Sequence, residues 1–108
     1  MSRNSQVIQT GTGTGTGKAF SPIRDQRSFQ ASVVGTGAVT GTVEIYGSNE
    51  EPSAALAGVN GLLLGTITLS GTTSDTDGFA TDAPWKWVWS KITAISGTDA
   101  AITVTMGV

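Results

Sequence analysis

At 108 residues, with neither cysteine nor histidine, the chain is one domain's worth of sequence without a disulfide framework and without the usual zinc and transition-metal ligands. Charged residues make up only 13% of it, against about 25% in an average globular domain, while Gly and Thr abound. The net charge of −2 and a pI near 4.7 argue against a nucleic-acid-binding domain, because phosphate neutralisation needs a clustered positive field.

From the N-terminus, Met1-Ser2-Arg3-Asn4 runs into polar Gln and Thr rather than an apolar stretch. No signal peptide is expected, no apolar run approaches a membrane span, and the product is expected to be made in the cytoplasm. Up to Phe20 the only core-forming pattern is the short Gln6-Val7-Ile8-Gln9; the alternating Thr-Gly run from Thr10 to Gly17 combines backbone freedom with a bias to extension. Arg3, Lys18, Arg24 and Arg27 against Asp25 alone leave +3 on residues 1–27, whereas two lysines against seven acids leave −5 on the rest. The chain divides into an extended Gly/Thr-rich arm, 1–27, that orders against a partner, and a body, 28–108. Fully stretched, such an arm reaches at most about 90 Å. A frayed terminus, or an edge strand on a flexible link, is the alternative for the same residues.

The body reads as short strands broken by Gly, Pro and Asp clusters, the spacing of a β-sandwich or jelly roll. Phe29, Ala31 and Val33 alternate with polar residues; Val43 and Ile45 point inward with Glu44 and Tyr46 outward; Ile67 and Leu69 share one face. Ser53–Ala57 suits a single helical turn, Gly71–Asp77 a polar loop, and Phe79-Ala80 a brief strand. The last stretch reads as a hairpin: Trp85–Ile95, a turn at Ser96-Gly97-Thr98-Asp99, then Ala101–Met106. Its inward set is Val88, Ile92 and Ala94 with Ile102, Val104 and Met106. The opposite face carries Trp85, Trp87 and Trp89, with Lys91 and Thr93 continuing it. Three aromatics on one face suit a stacking platform for sugar rings, a subunit contact, or a second layer of core beneath the arm.

Chemistry is sparse. The glycines before Lys18 do not make a phosphate loop, since Thr12 stands where the first Gly belongs and Ala19 where Ser or Thr belongs. Asp75-Thr76-Asp77-Gly78 opens like a calcium loop, but Lys86 occupies the position of the closing acid, and a solvated turn is the reading preferred, with a weak cation site involving Asp82 as the alternative. Without His or Cys, and with Glu44 the one acid on a clear strand, no catalytic constellation can be assembled, and no enzyme, metal or cofactor is expected.

Two segments carry a resemblance. Trp87-Val88-Trp89-Ser90-Lys91-Ile92-Thr93-Ala94-Ile95-Ser96-Gly97-Thr98, closing on Ile102-Thr103-Val104-Thr105-Met106, resembles the C-terminal hairpin of small β-sandwich virion proteins of tailed bacteriophages. Gly41-Thr42-Val43-Glu44-Ile45-Tyr46-Gly47-Ser48-Asn49 is similar to a strand and turn of the same group. In size and layout the chain is most like capsid decoration or cement proteins. The resemblance implies an all-β, jelly-roll-like sandwich with an N-terminal arm, located on the capsid exterior. It would bind the major capsid protein through Arg3, Lys18, Arg24, Arg27, Trp85, Trp87, Trp89 and Lys91, with homo-oligomer or lattice contacts and no nucleic-acid or membrane partner. A phage tail, neck or fibre component and a carbohydrate-binding module are the alternatives.

Overall fold

The computed structural model describes residues 5–21, 27–49, 61–81 and 85–107. These form six strands: β1 Ser5–Gly11, β2 Gly15–Thr16, β3 Arg27–Ser48, β4 Leu62–Gly71, β5 Ser74–Thr81 and β6 Trp87–Gly107. All pairings are antiparallel and belong to one sheet, ordered β1-β6-β3-β4, with β2 also on β6 and β5 also on β3. The all-β class expected from alternation and turn residues is observed, as one continuous sheet. The suggested helical turn at Ser53–Ala57 lies outside the described residues.

Two strands of 22 and 21 residues, β3 and β6, organise the sheet. They pair along nearly their whole length and bend together where Thr36 stands opposite Thr98. To one side of the bend, 27–34 of β3 lies between β5 and 101–107 of β6, which carries β1 on its far edge. To the other side, 39–48 lies between β4 and 87–96, which carries β2. The bend brings these halves face to face. A Cβ added to Gly41 would meet Ile102 Cδ1 at 2.6 Å, and one added to Gly65 would strike the Phe79 ring at 2.6 Å, each across from the opposite half. Glycine at those two positions is what allows the halves to close.

Alternation decides which side chains enter the space between. Phe29, Ala31, Val33, Val43, Ile45, Ile67, Leu69, Val88, Ile92, Ile102, Val104 and Met106 are all at most 1% exposed, as their spacing predicts. Burying each large aliphatic or aromatic side chain is worth about 1.5–3 kcal/mol, so this set holds the sheet shut. Ala94 departs from the expectation. Thr42 and Val43 stand opposite Ala94 and Ile92, leaving Thr93 as an extra residue, a β-bulge that reverses the parity beyond it. Ala94 is therefore exposed, and Ile95 packs on the core in its place.

Two further expectations are corrected. The C-terminal stretch is not a hairpin: 87–95 and 101–106 both pair with β3 rather than with each other. Gly97 and Asp99 do adopt positive φ, 125° and 55°, but Thr98 lies between them, so the chain swings into the other half without reversing. Tight hairpin turns with two such residues need them adjacent. Ser74–Asp77 is strand rather than loop, registered against Val34–Ala31, and only Thr72-Thr73 connects β4 to β5. Asp75 accepts a hydrogen bond from Ser70 N at 2.9 Å and Asp77 one from the amide of Gly78 at 2.8 Å, so the calcium-loop opening is an edge strand with its carboxylates engaged locally. Asp82 lies outside the described residues.

The N-terminal segment folds onto its own chain. β1 runs along β6 from Ser5 opposite Gly107 to Gly11 opposite Ile102, with an extra residue between Val7 and Gln9 that places Ile8 in the core, 4% exposed. Gly15 and Thr16 pair with Ile92 and Lys91, and Phe20 exchanges two backbone hydrogen bonds of 2.8 Å with Val88. Gln9 ties the two pieces together: its Oε1 accepts from the hydroxyl of buried Ser90 at 2.6 Å, and its Nε2 donates to Gly15 O at 2.9 Å. Ser5–Gly11 is thus an edge strand of the chain's own sheet.

Candidate functional site

The outer side of the half built from β2, β4, 39–48 of β3 and 87–96 of β6 holds most of the singled-out residues that are described. Because Val88, Ser90 and Ile92 turn inward, Trp87, Trp89 and Lys91 turn outward, and register decides their neighbours. Trp89 stands opposite Tyr46, Trp87 opposite Ser48, and Lys91 opposite Glu44 with Thr16 on its other side. Tyr46 in turn faces Leu63 of β4.

Trp89 and Tyr46 form a stacked pair, ring centroids 6.0 Å apart and planes 12° from parallel. A Cβ on Gly61 would come within 2.7 Å of the Trp89 ring, so the chain entering β4 lies over it. Covered from both sides, Trp89 is only 3% exposed. Trp87 is half-buried, and Leu62 and Leu63 are about half exposed, 51% and 53%. The result is an apolar strip of Trp87, the edge of the Trp89–Tyr46 stack and Leu63, bordered by Lys91, Glu44 and Thr66; Leu62, opposite Gly47, lies on the other face.

Glu44 fixes the tyrosine. Tyr46 Oη donates to Glu44 Oε1 at 2.6 Å. That bond, followed by burial and the negative charge of Glu44, raises the phenol above its ordinary value near 10, because ionising it would lose the bond and set two anions together. Lys91, directly across the ladder from Glu44, supplies the opposite charge.

Trp85 is not part of this face. It precedes β6, and its ring lies on Gly47, where an added Cβ would meet it at 2.7 Å; it packs against the core. The expected face of three tryptophans is thus a buried one, a half-buried one and one on the inner side. Lys18 is exposed beyond β2. Arg3 and Arg24 lie outside the described residues, and Arg27 is described only through its backbone, paired with Thr81. Tyr46 and Leu63 are the members sequence reasoning missed as a site. Alternation put Tyr46 outward, but only the register of β3 against β4 and β6 joins the three residues.

Chemically the strip offers apolar contact with a polar border. Among the described residues no group of three or more His, Cys, Asp or Glu is placed to hold a metal ion.

No protein-family model matches the chain, and a search of curated proteins likewise finds no match. Among solved structures it is similar to YomS, a protein derived from the SPBc2 prophage, with a TM-score of 0.57 and 14% identity over 98% of this chain and 91% of that one. PirA superposes over 96% of this chain and 90% of its own with a TM-score of 0.47 and 13% identity. The likeness to YomS shows that the two chains share a fold from end to end.

Proposed function

We propose that the chain is a structural protein of a tailed-phage virion that binds the exterior of the capsid, through the major capsid protein, and stabilises it as a decoration protein. The observation that most supports a phage role is the fold shared with a prophage-derived protein over 98% of the chain. Low charge and a half-exposed apolar strip bordered by Lys91 add the features of a surface meant to be covered. In this reading Trp87 and Leu63 enter a shallow site between capsid subunits, while Lys18, Arg24 and Arg27 meet acidic patches. A protein that binds only the assembled shell stabilises that shell by mass action, so no catalytic step is required.

The sugar-platform alternative loses its geometric basis, since Trp85 is on the inner side and Trp89 is covered. Co-sedimentation with capsids stripped of the protein tests the proposal. The full chain is expected to pellet with shells, and Trp87→Ala and Lys18→Glu, both at positions outside the core, to weaken binding about tenfold or more. Binding to purified tails instead of shells would move the protein to the neck, tail or fibre, and binding to neither would end the virion reading.

A further inference from the structure

The sheet has edges, and they are not alike. β1 carries a bulge at Ile8, and β5 carries Asp75, Asp77 and Gly78 in eight residues, all devices that discourage another strand from pairing. β4 has none of these along 65–71: Gly-Thr-Ile-Thr-Leu-Ser-Gly holds no charge, no proline and no bulge, and among the described residues no strand pairs with its outer side. Its ladder to β3 is regular from Val39–Gly71 to Ile45–Gly65, so it is straight enough to template a partner.

The hydrogen-bonding phase is known from one contact. Ser70 N donates to the Asp75 carboxylate rather than to β3. Main-chain groups alternate sides along an antiparallel strand, so the amides and carbonyls of Thr66 and Thr68 also point away from β3. Asp75 caps the Ser70 amide at one end of the row and leaves the pair at its centre open.

We infer that the β4 edge is a self-pairing site, at which a second copy of this chain adds its own β4 antiparallel across a two-fold axis through Ile67. The sequence suits a two-fold. Thr66 falls opposite Thr68 of the second copy and Thr68 opposite its Thr66, which are hydrogen-bonded positions exchanging four main-chain bonds in all, with Thr–Thr pairs on the solvent side. Ile67 meets its own equivalent, and Leu69 meets Gly65. A symmetric contact sets each charge near its own copy. β4 has none to repel, whereas self-pairing of β5 would bring four aspartates together. This pairing stands independently of the capsid reading.

Sedimentation velocity of the full chain over a wide concentration range, combined with amide hydrogen exchange, tests it. The expected result is reversible growth to twice the mass of one chain, with protection of the Thr66 and Thr68 amides that rises with concentration while that of Ile67, bonded within the chain, does not. Thr68→Pro removes an outward amide without touching the β3 ladder and should abolish the dimer while leaving the β-sheet circular dichroism unchanged; Thr76→Pro, on the β5 edge, should leave the dimer intact. Should Thr68→Pro fail to fold, the exchange pattern of the unaltered chain decides. A monomer at all concentrations overturns the inference. So does a dimer whose Thr66 and Thr68 amides exchange as freely as in dilute solution. Protection gained only when an extended segment of another protein is added would assign the edge to that segment and overturn it equally.

Discussion

Trp89 shows how position within one strand sets the fate of a residue type. Two places along from Trp87 and four from Trp85, it alone is closed in, stacked on Tyr46 and covered at Gly61. Trp89→Ala is expected to cost about 3–5 kcal/mol, a large part of the roughly 5–15 kcal/mol that holds a domain of this size, whereas Trp87→Ala should cost about 1 kcal/mol or less. Urea unfolding of the two variants checks the contrast. Tyr46 makes a second residue-level test through pH. Its phenol is held above the ordinary value near 10 in the folded chain, so the folded state binds that proton more tightly. The stabilisation is fully present below pH about 10 and is lost as pH rises through the raised value. Tyr46→Phe should therefore lose about 1 kcal/mol at neutral pH, from the missing bond to Glu44, and show a shallower alkaline decline. An unchanged alkaline decline in that variant would mean that other groups cause it.

At the scale of elements, β1 and the β6 bend each suggest a measurement. Ile8→Ala should destabilise by about 2–4 kcal/mol, because Ile8 is a core residue contributed by an edge strand. A neutral result would mean that β1 does not contribute to the folded core. For the bend, Gly97→Ala adds a Cβ 2.6 Å from Ala38 O at φ 125°, strained in backbone and in space, and should cost about 1–3 kcal/mol, whereas Asp99→Gly should be close to neutral. Chemical denaturation reads both. These elements also show how far the sequence was legible. Alternation identified the inward residues of β3, β4 and β6 because a half-buried strand has no other way to bury one face. It failed at Ala94, where a single bulge at Thr93 shifts parity and leaves no compositional mark. It also failed at Ser96–Asp99, because turn-forming residues signal a change of direction without saying whether the chain returns to its own strand or continues along another. The two halves of β6 each found β3 as a partner, and that choice rests on pairings between residues far apart in sequence, from Ser48 with Trp87 to Ser28 with Gly107. The aromatic strip was half visible for the same reason. Trp87 and Trp89 could be placed on one face, but Tyr46 and Leu63 joined them only through register.

The described residues form a single sheet organised by two long bent strands, closed on itself by glycines that let its halves touch and flanked by an N-terminal strand from its own chain. The segment proposed to reach a partner is thus partly committed to the fold. Beginning the chain at Ser28 would remove Ile8 and expose the far edge of β6, so loss of shell binding by such a truncation would reflect loss of structure as much as loss of contact. Surface substitutions at Lys18 and Trp87 separate the two. The proposed role as a capsid decoration protein meets its most direct test in the melting of the shell itself. Calorimetry of stripped capsids with and without the full chain is expected to show a rise in the shell's transition temperature that saturates with added protein and is diminished for Trp87→Ala. A shell transition that stays where it was at saturating protein would contradict the account.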